Sequence, residues 1–119
     1  MKTLEAFFRE GSQLPPNEKT VISERFQWEG QALEWEIRAV REAELRATGS
    51  DDMEQVCALA VVFPDLKDPA LLESYQAKDS VQVLQKMLTP AEYLRLEKAV
   101  RKLNGFAERK AKLKEMAKN

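Results

Sequence analysis

The sequence predicts an α+β fold, a mainly α-helical domain of about five or six helices with one N-terminal β-hairpin. Three observations carry this expectation. Leu33, Trp35, Ile37 and Ala39 alternate with Glu34, Glu36, Arg38 and Val40, the period of a strand with one buried face. Helix start signals recur after that run, at Ser50-Asp51, Asp68-Pro69 and Thr89-Pro90-Ala91-Glu92. Tyr93, Leu96, Ala99, Val100 and Leu103 then trace an apolar stripe at helical spacing.

In chain order, Thr3 to Glu10 reads as a short helix that Thr3 caps and Gly11 ends, with Leu4, Phe7 and Phe8 on one face. Gly11 to Lys19 holds Pro15-Pro16 among polar turn formers and reads as an extended connector, so 1–19 is an N-terminal helix and connector. Residues 20–40 read as the hairpin. Val21 to Trp28 is rich in β-formers, and Glu29-Gly30-Gln31-Ala32 supplies a glycine where a tight loop needs positive φ. A lone hairpin is marginal in water, so helices, another strand or a partner chain must cover its apolar face.

Residues 41–105 read as a helical core. A short helix at Glu42 to Ala47 ends at Gly49. The next starts near Ser50 or Asp51, with Glu54 placed to complete a capping box. It carries Met53, Val56, Cys57, Ala60 and Phe63 on one side and Leu59 and Val62 on the other, until Pro64 stops it. A helix apolar nearly all round is expected to be the structural hub. Asp68-Pro69 opens a helix over Ala70 to Gln76, Asp79 or Ser80 caps Val81 to Leu88, and Thr89 with Glu92 opens the helix that Asn104-Gly105 terminates. Residues 106–119 read as a basic, largely exposed C-terminal helix. The whole of 1–119 has the size of a single domain with one modest core.

The net charge of −1 conceals an asymmetry: residues 1–60 carry twelve acidic and seven basic side chains, residues 61–119 eight and twelve. The single cysteine, Cys57, has no partner for an internal disulfide, which suits a reducing compartment such as a cytoplasm. The longest apolar run, Val56 to Phe63, falls far short of the roughly 20 residues that cross a bilayer, and no export signal or membrane role is expected.

Chemistry is sparse. The chain has no histidine, the commonest general base and metal ligand at neutral pH. Nor does it offer a thiol dyad, a G-x-S-x-G elbow or a phosphate-cradling glycine loop, since its four glycines are isolated. An enzyme, a cofactor and a small-molecule substrate are therefore not expected. Asp65 and Asp68, three residues apart, can hold a divalent cation, but Asp68 equally suits a helix cap and Asp65 the turn after Pro64. Arg101 to Asn119 holds seven basic residues against two acidic, which gives an alternative reading as a small nucleic-acid-associated protein using a basic C-terminal helix. The absence of aromatic residues beyond Phe106 and the interruptions at Glu108 and Glu115 favour a solvated face instead.

Apolar clusters are more informative. Phe7 and Phe8 form one, Leu71, Leu72 and Tyr75 a second, and Val81, Leu84, Met87 and Leu88 a third, together more than one small core needs. Each also has the plainer explanation of packing on the hub helix. Phe7, Phe8, Leu71, Leu72 and Tyr75 are the candidate partner contacts, and a homo-oligomer stays open.

Four stretches, LEAFF, ERFQWEGQALEWEIRAV, ALAVVFPDLKDPALLESY and KMLTPAEYLRLEKAVRKLNGF, together resemble the XkdN-like phage tail assembly chaperones in content and order. The resemblance spans nearly the whole chain, with VVFPDLKDPALLESY and LNGF its most specific parts, although the chain is shorter than typical members between the hairpin and the hub helix. It implies a protein made in the bacterial host cytoplasm during morphogenesis of a phage or prophage tail and absent from the finished particle. The implied partners are the tape measure protein, kept soluble until the tail tube polymerises, and the tail tube protein itself. Many such chaperones also exist in a longer frameshifted form, and Ala117-Lys118-Asn119 is compatible with a slippery heptamer in the gene.

Overall fold

The computed structural model describes residues 4–9 and 13–106. The expected roles of Thr3 and Gly11, all of the basic 106–119 helix beyond Phe106 and the Ala117-Lys118-Asn119 motif fall outside the described residues. Leu4–Phe7 forms a 3₁₀ turn, with the Phe8 amide donating to the Glu5 carbonyl at 3.1 Å. Gln13 to Asn17, without regular structure and exposed, lead into the first strand.

The fold is α+β with several strands, which corrects the expectation of a mainly helical domain carrying one hairpin. Among the described residues five strands, β1 (Glu18–Thr20), β2 (Gln27–Trp28), β3 (Gln31–Ala32), β4 (Trp35–Ile37) and β5 (Val61–Phe63), form two antiparallel sheets. In the larger sheet, ordered β1-β4-β5, Glu18 faces Ile37 and Thr20 faces Trp35 across β1 and β4, while Ile37 and Glu36 face Val61 and Phe63 across β4 and β5. The smaller sheet pairs β2 with β3 around Glu29 (φ 52°) and Gly30 (φ 80°), both left-handed as a two-residue hairpin turn demands. The turn is thus two residues long, and Gln31-Ala32 belongs to a strand.

Two physical causes split the single hairpin that periodicity suggests. The first lies between β1 and β2, where Ile22 and Ser23 are buried and the chain leaves the ladder so that Ser23 and Arg25 reach the Glu92 carboxylate. The second is the third strand itself. Val61, Val62 and Phe63 were expected to extend the hub helix, but two β-branched residues followed by one held extended by Pro64 favour a strand. The open edge of β4 supplies the unpaired backbone groups that a strand satisfies. The Arg38 amide donates to the Ala60 carbonyl at 2.8 Å where helix gives way to strand.

The helices are α1 (Glu42–Ala47), α2 (Met53–Ala60), α3 (Pro69–Ser74), α4 (Ser80–Met87) and α5 (Pro90–Asn104). Asp52 caps α2 by accepting from the Gln55 amide at 2.9 Å. Thr89 and Glu92 form the capping box of α5, and Gly105 at φ 78° ends it, with the Phe106 amide reaching back to the Arg101 carbonyl at 2.7 Å. Val56, Cys57 and Ala60 of α2 meet Val83 and Leu84 of α4, Leu96 and Val100 of α5, and Trp35 and Ile37 of β4 in one buried cluster. The hub role of α2 and the buried stripe of α5 agree with the pattern of their apolar residues. Asn104 ties the end of α5 to the start of α1, its Oδ1 accepting from the Val40 amide at 2.7 Å and its Nδ2 donating to the Val100 carbonyl at 3.0 Å.

Candidate partner-binding site

Helix α3 exists because Asp68 caps it, one carboxylate oxygen accepting from the Ala70 and Leu71 amides at 2.8 and 3.3 Å, and because Pro69 is preset for the first helical position. Leu71 and Tyr75, four residues apart, therefore share a face, and both are half-buried. That face meets the end of the larger sheet. Trp35 of β4 and Met87 of α4 are buried beneath it, while Leu33, Phe63 and Pro64 rise beside it at the sheet's rim. Phe26 closes the wall, tilted against Trp35 at 6.1 Å between ring centres. Together they line an apolar groove of about 160 Å³. Leu33 and Phe63 remain 36% and 49% exposed, so the groove opens to solvent. Two larger hollows, beside Asn17 and Arg38 and beside Glu24 and Arg95, are more polar.

A polar clamp fixes the Phe26 wall. Arg25 lies 4.8 Å from the Phe26 ring centre and donates to both oxygens of Glu92, from Nη2 at 2.6 Å and from Nε at 2.9 Å. The Nη2 group also donates to the Met87 carbonyl at 2.8 Å. Glu92 accepts further bonds from the Ser23 hydroxyl and, at 2.9 Å, from the Thr89 amide. The Arg25 guanidinium foremost, then Ser23 and Thr89, hold the Glu92 carboxyl well below the usual carboxylate range. A second fork, Arg38 to Glu44 at 3.0 and 2.7 Å, with the Arg41 amide, lowers the Glu44 carboxyl to about 2 and joins β4 to α1.

Burial pushes the Cys57 thiol up to about 12 and the Tyr93 phenol above its ordinary range. Asp65 accepts from the Lys67 amide at 3.0 Å, so both members of the Asp65–Asp68 pair are engaged with backbone N–H groups. Among the described residues no group of three or more cysteine, aspartate or glutamate side chains is placed to hold a metal ion, and no helix is long and apolar enough to cross a membrane.

Of the candidate contacts, Leu71 and Tyr75 line the groove. Leu71, Leu72 and Tyr75 all pack in part against the core, and Leu72 does not line the groove. Phe7 and Phe8 are 81% and 50% exposed on the 3₁₀ turn and are not part of the groove's lining. In the third cluster Leu84, Met87 and Leu88 are buried and Val81 is half-buried against the core. Sequence reasoning missed Phe26, Leu33, Trp35 and Phe63 as groove residues. The signal for Leu33 and Trp35 is their shared strand face, whereas Phe63 joins them only through the pairing of β5 with β4.

The crystal structure of the protein YqbN shares this fold, with a TM-score of 0.73 at 21% identity, covering 84% of this chain and 93% of that one. A comparison with curated proteins finds no match. The family model for XkdN-like phage tail assembly chaperones matches residues 51–118, more than half of the chain, from α2 through the groove-forming α3 and the capped α5. The protein belongs to the XkdN-like family of phage tail assembly chaperones.

Proposed function

We propose that this chaperone binds the tape measure protein in the host cytoplasm and keeps it soluble until tail tube subunits polymerise around it, acting by binding alone and without catalysis. The observation that carries the reading is an open apolar groove, walled by Leu33, Phe63, Leu71 and Tyr75, in a member of a tail assembly chaperone family. A long helical client presents apolar stripes that aggregate when bare, and a groove of this kind takes one apolar segment at a time. Phe7 and Phe8 supply further exposed apolar contacts, while Leu72 packs in part against the core. Each contact is small, so many copies bind reversibly and tube protein displaces them; one tight site would hold the client back from assembly.

Co-expression with the tape measure protein of the same phage tests this. The wild-type chain is expected to move the client into the soluble fraction, and Phe63→Glu, which puts a charge at the groove mouth, to lose most of that effect while the chaperone itself stays folded. A client equally soluble with no chaperone, or solubilised as well by Phe63→Glu and by Phe7→Glu/Phe8→Glu as by the wild type, would remove the proposal.

A further inference from the structure

Each copy carries two uncovered apolar features that fit one another. Leu4, Phe7 and Phe8 stand exposed on the 3₁₀ turn, and the groove beside Trp35, Phe63 and Tyr75 is open. Its volume, about 160 Å³, is close to that of an apolar cavity known to admit one benzene ring, about 150 Å³. One phenylalanine ring is therefore an occupant of the right size and chemistry.

The register of the larger sheet indicates whose phenylalanine enters. The chain joins β1 at Glu18, opposite Ile37, which in turn faces Val61. The groove lies at the other end of the same strands, at Leu33, Trp35 and Phe63. Gln13 to Asn17, which precede β1, are exposed, and Pro15-Pro16 stiffen them. The chain that carries Leu4–Phe8 thus joins the sheet at the end remote from its own groove. We infer that the Leu4–Phe8 segment of one copy docks into the groove of a second copy, with Phe7 as the anchor.

Leu4, Phe7 and Phe8 are 67%, 81% and 50% exposed, so together they have roughly 400 Å² left to bury, or about 800 Å² over both surfaces, below the size of a stable specific interface. Self-association is then weak and concentration-dependent, which shields both features while leaving them open to exchange. The inference concerns this chain alone and holds whichever protein is the client.

Sedimentation velocity of the full chain over a range of concentrations tests it, beside Phe7→Glu/Phe8→Glu and Phe63→Glu, with circular dichroism as the check on folding. All three substitutions fall on exposed side chains, so the variants are expected to fold. The wild type should associate as concentration rises, and each variant should do so at least about tenfold more weakly, as loss of an anchoring aromatic predicts. Mixing the two variants pairs an intact groove with an intact segment and should restore a one-to-one complex. A wild type monomeric throughout, as docking within one copy would give, overturns the inference; so do variants that associate like the wild type, and a mixture that stays monomeric.

Discussion

A carboxylate that accepts from a guanidinium, a hydroxyl and a backbone amide is held as an anion, and Glu92 is such a group. Its folded-state pKa lies below the ordinary 4.5, so the native state binds this proton less readily than the unfolded chain. The stabilisation is therefore complete above about 4.5 and is lost as pH falls towards the lowered native value. Glu44, lowered to about 2, acts with the same sign. Glu92→Gln should have a lower thermal midpoint than the wild type at neutral pH, and the gap should narrow in acid, where the wild-type side chain takes up its proton. Melting curves followed by circular dichroism against pH check this; a gap that stays constant across the range would show that the charge contributes nothing.

At the scale of the element, short segments were set by local chemistry wherever a cap stood alone in sequence. Asp68-Pro69 and Thr89 with Glu92 announce α3 and α5 because a side-chain acceptor and a preset φ act within one turn. Val61 to Phe63 show the limit of such reading. An apolar run of eight residues has no period that separates helix from strand, and the neighbour that decides, β4, lies more than twenty positions away. For the same reason only the α3 side of the groove was legible: Leu71 and Tyr75 follow from i, i+4 spacing, whereas Leu33 and Phe63 meet only after β4 and β5 pair. The end of α3 offers a direct test of local strain. Gln76 occupies the left-handed region at φ 51°, with the Ala77 amide returning to the Leu72 carbonyl at 2.9 Å. Gln76→Gly relieves the Cβ crowding there and should raise stability by about 0.5–1 kcal/mol in urea unfolding. No change or a loss would mean that the glutamine side chain contributes something the backbone geometry does not reveal.

Across the molecule, the core joins residues that the pattern of apolar positions had grouped on separate helices. Leu84 of α4 is fully buried in the core cluster, so Leu84→Ala should cost about 2–5 kcal/mol, read as a lower denaturant midpoint at unchanged slope. A cost below 1 kcal/mol would mean that α4 closes over the cavity. The Arg25–Glu92 clamp reaches further, since 67 positions separate its partners. On a ribosome adding about 5–20 residues each second, roughly 3–13 s pass between the emergence of arginine and glutamate. Through that interval the nascent hairpin has neither its clamp nor, until Val61 arrives, its third strand. A chaperone of other proteins thus passes its own synthesis with an unshielded aromatic strand, and translation speed across the middle of its message sets how long that exposure lasts.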